Sequence, residues 1–349
     1  MKLVSYRSSN NSNNSNRHDA AEHLGAYSDG QVLDFSAAAR AYADSHAELP
    51  VSMFDSILTL LRAGDEGMAN ARAVLQWAAA SRDVLSCWKP VDEVQLLSPV
   101  PHPTSMRDGY AFRQHVEAAR RNRGVEMIPE FDLFPIFYFT NHNAVTGPGD
   151  VQVQELHMQR LDFELEAAIV IGKEGRNIRA EEADEYIAGY MVMNDWSARW
   201  LQMEEMKLSL GPAKGKDFAT SLGPWLVTKD ELAERCIPGQ EGERYDLTML
   251  TRVNGTEVSR GNLKDMTWTF AQIVERASYG VTLLPGDVIG SGTVGTGCFL
   301  ELNGSKVFDN WWLQDGDVVE CQIDLLGTLS NTLRKVDDRG IQLVKASAA

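Results

Sequence analysis

The segment Phe163-Glu164-Leu165-Glu166, running straight into Ala167-Ala168-Ile169-Val170-Ile171-Gly172, constrains this chain more than any other. An apolar run of that length, closed by glycine, reads as a buried strand. Extended backbone sends alternate side chains to opposite faces, so Glu164 and Glu166 share one side while Phe163 and Leu165 fill the other. Two carboxylates side by side against a core strand lose hydration and repel each other. The pair is costly unless a cation sits between them or one of them holds a proton. A bound metal is the simplest relief. The competing account is a strand with one wet face, where alternating glutamate and apolar residues are ordinary. On this motif alone the wet face is the better account.

At 349 residues, 44% of them hydrophobic and 23% charged, the chain can bury a substantial core, and its length implies two domains. No apolar stretch approaches the length of a membrane span. The opening Met1-Lys2-Leu3-Val4-Ser5-Tyr6 is too short for a signal peptide, and the residues after it are too polar. The expectation is a cytoplasmic protein that neither spans nor binds a membrane. A formal charge of −16 repels phosphate backbones, which argues against a nucleic-acid partner. Cys87, Cys236, Cys298 and Cys321 are scattered and form no CxxC pair, so zinc-finger and disulfide-framework readings both fail.

Residues 1–96 read as a small N-terminal domain and 97–349 as a larger one, the break marked by prolines and a Ser-Pro step over Leu96–Pro103. Met1–Tyr6 reads as a strand and Gly25–Phe35 as a hairpin turning at Asp29-Gly30. Between them Ser8–Asn16 is all serine and asparagine and reads as a disordered loop tip. Helices are expected around Ser36–Ser45, Phe54–Ala63 and Glu66–Arg82, the last with Met68, Ala71, Val74 and Leu75 at helical spacing for the core. The larger part is β-rich, with turn signals such as Asn254-Gly255 and Asp315-Gly316-Asp317. Helices are expected there over Tyr110–Arg121, Ser197–Leu208 and Thr267–Ala277.

Three further segments bear on the glutamate pair. Asp108 precedes a predicted helix and is either its N-terminal cap or a ligand. His115 lies on that helix. The apolar strand Gly189–Asn194 ends in Asp195, an acid placed as a cap or as a ligand at the mouth of a sheet. Gly290-Ser291-Gly292-Thr293-Val294-Gly295-Thr296-Gly297 reads as a loop leading into a strand at Phe299-Leu300-Glu301-Leu302. Its glycines are weak evidence for phosphate binding, because no helix or Lys-Ser/Thr completes a P-loop.

Taken in order, these segments resemble the fumarylacetoacetate hydrolase superfamily over roughly Leu97 to Leu333. The resemblance rests on Asp108, Tyr110 and His115, on Glu164-x-Glu166, and on Asn194-Asp195-Trp196-Ser197-Ala198-Arg199 with Gln202. It continues through Gly215-Lys216-x-Phe218-x-Thr220, and through Ser291-Gly292-Thr293 followed by Leu300-Glu301-Leu302. It implies an α+β, β-rich fold, a mixed β-sandwich roll preceded by a smaller N-terminal α/β domain and commonly dimeric. It further implies that Asp108, Glu164, Glu166 and Asp195 ligate one divalent ion. All-oxygen ligation selects Mg²⁺ first, with Mn²⁺ or Ca²⁺ as alternatives. By the same resemblance His115 and Glu301 form a water-activating dyad, and Lys216, Arg199 and Gln202 surround the substrate. Tyr110, Tyr138 and Thr293 resemble substrate-contacting positions, with ordinary aromatic core as the alternative for the tyrosines.

The chain departs from the pattern at Glu205-Met206-Lys207, where fumarylacetoacetate hydrolase itself carries a tyrosine. Lys214 competes with Lys216 for the lysine role, and Arg120, Arg121 and Arg123 leave the substrate-binding arginine unassigned. The leading expectation is a metal-dependent hydrolase cleaving a C–C bond in an acylpyruvate or similar β-dicarbonyl acid. The alternative is a hydratase, isomerase or decarboxylase of a 2-oxo acid that uses the same metal and enolate.

Overall fold

The structure is a computed structural model that describes residues 1–8, 21–44, 46, 49–82, 85–341 and 343. The serine–asparagine tract lies outside the described residues beyond Ser8. Among the described residues, two sheets organise the chain. The twelve-stranded sheet runs Trp88–Pro90, Gln31–Asp34, His23–Ser28, Lys2–Ser8, Thr220–Val227, Ile187–Asp195, Leu165–Ile171, Val288–Gly290, Met106–Gly109, Phe137–Phe139, with two short strands paired off this path. The five-stranded sheet runs Thr256–Asn262, Thr248–Val253, Val318–Ile323, Gly327–Lys335, Gly149–Val153. The N-terminal strands continue the large sheet, because Lys2 and Leu3 pair with Val227 and Leu226. No helix among the described residues is long and apolar enough to cross a membrane.

The Leu165–Ile171 strand is central, and it is buried on both faces. Leu165, Ala167, Ile169 and Ile171 face one core, which includes Met249, Val319, Leu329 and Leu333 of the smaller sheet. Ala168 and Val170 face the other, shared with Phe35, Leu60, Ala71 and Val74 of the N-terminal helices. The strand therefore lies between two apolar layers, and the wet-face account of its glutamates fails. Glu166 is fully buried and Glu164 is 6% exposed.

The hairpin turns at Asp29 and Gly30, both in the left-handed region with φ 50° and 78°, as a two-residue connection between twisted strands requires. The helices over the second core span Phe35–Ala43, Ile57–Arg62 and Gly64–Ala80; Asp34 caps the first, and Ser56 with Thr59 forms a capping box on the second. Two expectations in the larger part need correction. Phe299–Gly304 is helical rather than extended, because the Asp162 carboxylate accepts hydrogen bonds from the Phe299 and Leu300 backbone N–H groups and so supplies its first turn with partners. Asp108 is no helix cap: it lies on the Met106–Gly109 strand, and the helix starts only at Arg113. The next helix starts at Arg199, since Ser197–Ala198 pairs with Leu161–Asp162, and the third spans Phe270–Ser278 behind a Thr269 cap.

Candidate active site

One face of the large sheet builds the site. Met106, Ala168, Met193 and Val288 point into the core beneath the N-terminal helices. Two residues along each strand the same face carries Asp108, Glu166, Asp195 and Gly290, and Glu164 follows two beyond Glu166. Antiparallel and parallel pairing align these ends: Glu166 lies opposite Met193, Gly290 opposite Asp108, and the Asp195 N–H donates to the Glu164 carbonyl at 3.2 Å. Gly290 is the residue that makes room. A Cβ there would sit 2.6 Å from Asp108 Oδ1 and 2.9 Å from Glu166 Oε2.

Asp108, Glu166 and Asp195 each offer an oxygen, and these atoms lie within 4.8 Å of one another. The Gly292 N–H donates to Asp108 Oδ1 at 3.1 Å and to Glu166 Oε2 at 3.0 Å. Gly292 has φ +79°, and a Cβ on it would run into the Gly109 carbonyl at 2.7 Å. The Thr293 hydroxyl reaches Glu166 Oε1 at 3.5 Å. The glycine-rich loop thus wraps carboxylates, and its N–H groups are aimed at them rather than at a phosphate. Asp195 Oδ1 is buried with no hydrogen-bond partner. Burial, followed by the Asp195 charge, pushes Asp108 up to about 7. Burial and then Asp108 raise Glu166 well above the usual carboxylate range. An unpartnered buried oxygen among carboxylates held from ionising fits a hard cation with oxygen ligands.

Glu164 belongs to a different balance. Its Oε1 accepts from Arg199 Nη2 at 2.7 Å and its Oε2 from Lys216 Nζ. Burial alone would raise it, but Lys216 and Arg199 outweigh burial and hold it below its ordinary value. Lys216 Nζ also donates to Asp195 Oδ2 at 2.6 Å, and the Tyr138 hydroxyl donates to the same oxygen at 2.7 Å. Despite these donors, burial leaves Asp195 raised. Lys216 keeps its proton, because Asp195 and Glu164 more than offset the burial that would lower it. Lys214 lies outside this cluster, exposed and paired with Asp217 at 2.7 Å. The loop before Lys216 is fastened by Glu205, whose carboxylate accepts from the N–H groups of Ala213, Lys214 and Gly215 at 2.8, 2.6 and 3.1 Å.

His115 and Glu301 meet across two helices, with Nδ1 and Oε2 2.7 Å apart and both residues buried. The Thr296 N–H holds the other Glu301 oxygen at 3.0 Å. A carboxylate only accepts, so Nδ1 carries the proton and Nε2 is left as the base. Cys298 lies with them, within 4.8 Å. Burial pushes its thiol far up, so it stays protonated among these residues. Tyr110 stands edge-on to His115 with ring centroids 5.9 Å apart. Arg199 is fully engaged: besides Glu164 it binds Asp162 Oδ2 through Nε at 2.8 Å and Gln202 Oε1 through Nη1 at 2.9 Å. Of the three arginines, Arg120 and Arg123 bond backbone carbonyls of Glu126 and Ala119.

Hydrogen bonds and ring contacts join every predicted site residue to these clusters, Tyr138 to Asp195, Gln202 to Arg199, Thr293 to Glu166 and Tyr110 to His115. Sequence reasoning passed over Asp162, fully buried between the two clusters. Its signal was present: Asp162, Glu164 and Glu166 recur at a period of two.

Three comparisons bear on this arrangement. The model of the fumarylacetoacetate (FAA) hydrolase C-terminal family matches residues 104–334. Oxaloacetate tautomerase YisK of Bacillus subtilis is 34% identical over 287 residues, covering 80% of this chain and 86% of that protein. Among solved structures, fumarylacetoacetate hydrolase from the psychrophile Exiguobacterium antarcticum superposes with a TM-score of 0.66 at 25% identity, over 96% of this chain and 100% of that one. Maleylpyruvate hydrolase from Sphingobium sp. SYK-6, solved with manganese(II) and pyruvate, gives a TM-score of 0.66 at 21% identity over 96% of this chain and 99% of that one, a likeness of fold.

Proposed function

This chain belongs to the fumarylacetoacetate hydrolase family, and on that footing we propose that it is a divalent-metal-dependent enzyme interconverting the keto and enol forms of a 2-oxo dicarboxylic acid such as oxaloacetate. The observation that carries the reading is the pairing of the Asp108–Glu166–Asp195 cluster, with its unpartnered Asp195 Oδ1, and a buried His115–Glu301 base. The relative from Bacillus, an oxaloacetate tautomerase, supports the choice of reaction.

Asp108, Glu166 and Asp195 would hold Mg²⁺ or Mn²⁺, with Glu164 as the fourth carboxylate of the pocket and Ca²⁺ as a weaker alternative. The bound ion supplies Lewis acidity for a substrate carrying adjacent carbonyl and carboxylate oxygens. His115 Nε2 takes the proton from the carbon next to the carbonyl, and Glu301 steadies the imidazolium that results. The electron pair moves onto the carbonyl oxygen, where Lys216, kept charged by its two carboxylates, donates a hydrogen bond to the developing charge, and the oxygen takes its proton from solvent. Arg199 acts behind them, since its hydrogen-bonding groups are spent on Glu164, Asp162 and Gln202. Tyr110 and Thr293 lie at the wall of this space, and Tyr138 holds Asp195. A soluble homodimer in the cytoplasm completes the proposal.

The His115–Glu301 pair also favours a second reading, hydrolysis of a C–C bond in an acylpyruvate. There the same Nε2 takes a proton from water, and the enolate carbon is protonated after the bond breaks. A panel separates the two. Decay of enol-oxaloacetate, release of pyruvate and loss of acylpyruvate enol absorbance are followed with Mg²⁺ or Mn²⁺ present. Metal-dependent enol decay without matching pyruvate, lowered about 10²–10⁴-fold by His115→Gln, is expected. Cleavage of the acylpyruvate without enol decay would replace the first reading by the second. Stoichiometric pyruvate would point to decarboxylation instead.

A further inference from the structure

The metal-side carboxylates sit on the sheet, whereas the base sits on two helices, and one side chain bonds both the first turn of the Glu301 helix and the arginine that holds Glu164. We propose that Asp162 is a positioning residue that holds the His115–Glu301 base in register with the Glu164–Lys216 side of the pocket. The inference rests on the base role proposed for His115.

Asp162 is fully buried, and its carboxylate is used at both oxygens. Oδ1 accepts from the Phe299 N–H at 2.7 Å, and Oδ2 accepts from the Leu300 N–H at 2.9 Å and from Arg199 Nε at 2.8 Å. On one side, Glu301 is the next residue along that helix. The helix has no cap of its own, because Cys298 at its N-cap makes no side-chain hydrogen bond. The first turn therefore takes its direction from a carboxylate on the Leu161–Asp162 strand. On the other side, Arg199 carries the tie to Glu164 through Nη2 at 2.7 Å. Burial raises Asp162, although Arg199 and the Leu300 N–H pull the other way. Moving this carboxylate by a fraction of an ångström turns Glu301 and Arg199 together, and a base misplaced by that much is slow.

A double-mutant cycle tests the coupling. Asp162→Asn keeps the size of the side chain but can accept at only one of its two positions. The variant is assayed alone and with His115→Gln, using enol-oxaloacetate and Mg²⁺. The expected result is a fall in kcat of about tenfold or more, with KM and the Mg²⁺-induced rise in melting temperature unchanged, and no further fall in the His115→Gln background. An undiminished effect on top of His115→Gln, or kcat equal to the parent, overturns the proposal. Should Asp162→Asn fail to fold, Asp162→Glu keeps the charge opposite Arg199 and displaces the carboxylate by one methylene, and the same cycle decides. If the parent accelerates none of the substrates, the functional reading fails by itself. Asp162 is then judged by the His115 ring resonances in a proton NMR titration, which its substitution must move.

Discussion

Glu164, just before the Leu165–Ile171 strand, and Glu166 within it lie two residues apart at nearly the same burial, and the protein treats them oppositely. Glu164 is met by the Lys216 ammonium and the Arg199 guanidinium and is driven toward its charged form. Glu166 meets Asp108 and two donors from the glycine loop, and burial drives it toward its protonated form. One half of the pocket is neutralised by the chain's own cations. The other half, around Asp108 and Glu166, is instead held from ionising, chiefly by burial. Reading both glutamates as equal members of a motif conceals this division of labour.

The largest expected effect separates the two directly. In metal-stripped protein, Glu164→Gln leaves Lys216 and Arg199 short of a partner and is expected to cost about 3–5 kcal/mol in urea unfolding. Glu166→Gln mimics a form already protonated and should leave the metal-free stability unchanged or raised. Equal losses would erase the comparison. Next in size is the metal itself. An excess of Mg²⁺ about a hundredfold over its dissociation constant should stabilise the parent by about 2.7 kcal/mol, and Asp108→Asn or Glu166→Gln should abolish that shift. A shift that survives in both variants would place the ion elsewhere.

A smaller effect follows from pH. With its carboxyl at about 7 in the metal-free protein, Asp108 must lose a proton before it can ligate. Glu166, raised as well, must also give up its proton, so metal affinity should fall as pH drops below about 7 by up to about a hundredfold per unit, with about two protons released on binding that calorimetry in two buffers would count. The folded metal-free state holds a proton that the unfolded chain, at 3.8, has already lost. Its stability thus declines as pH rises through that window, and metal reverses the decline. The smallest effect concerns a third solution to burial. His157, stacked on Phe218 at 4.1 Å, is kept neutral by burial, its pKa lowered from 6.5 to about 4. The unfolded chain takes a proton there that the folded one refuses. Stability should fall as pH drops from about 6.5 toward 4, by less than about 1.4 kcal/mol per unit, and His157→Gln should flatten that slope.

Much of this was legible in the residues. The hairpin at Asp29-Gly30 announced itself, because few residues other than these accept positive φ at both positions. The order of Asp108, His115, Glu164, Glu166, Asp195, Lys216 and Glu301 along the chain was enough to imply one site. Phe299–Gly304 was misread, because its apolar–acid alternation looks extended while the carboxylate that starts its helix is 137 residues away in sequence. Asp162 was passed over for the related reason that its partners, Arg199 and the Phe299 and Leu300 N–H groups, come from two other elements.

By itself, the sequence determined the alternation that puts Glu164 and Glu166 on one face, because a strand's period of two is a property of the backbone. It also determined the residue types that suit a hard cation and a base. Tertiary structure alone decided that this face is dry, since a second apolar layer closes over it. It decided too which carboxylate keeps its charge. That depends on whether Lys216 and Arg199 or another acid stands opposite in the folded chain, and distance in space sets such energies where spacing in sequence does not.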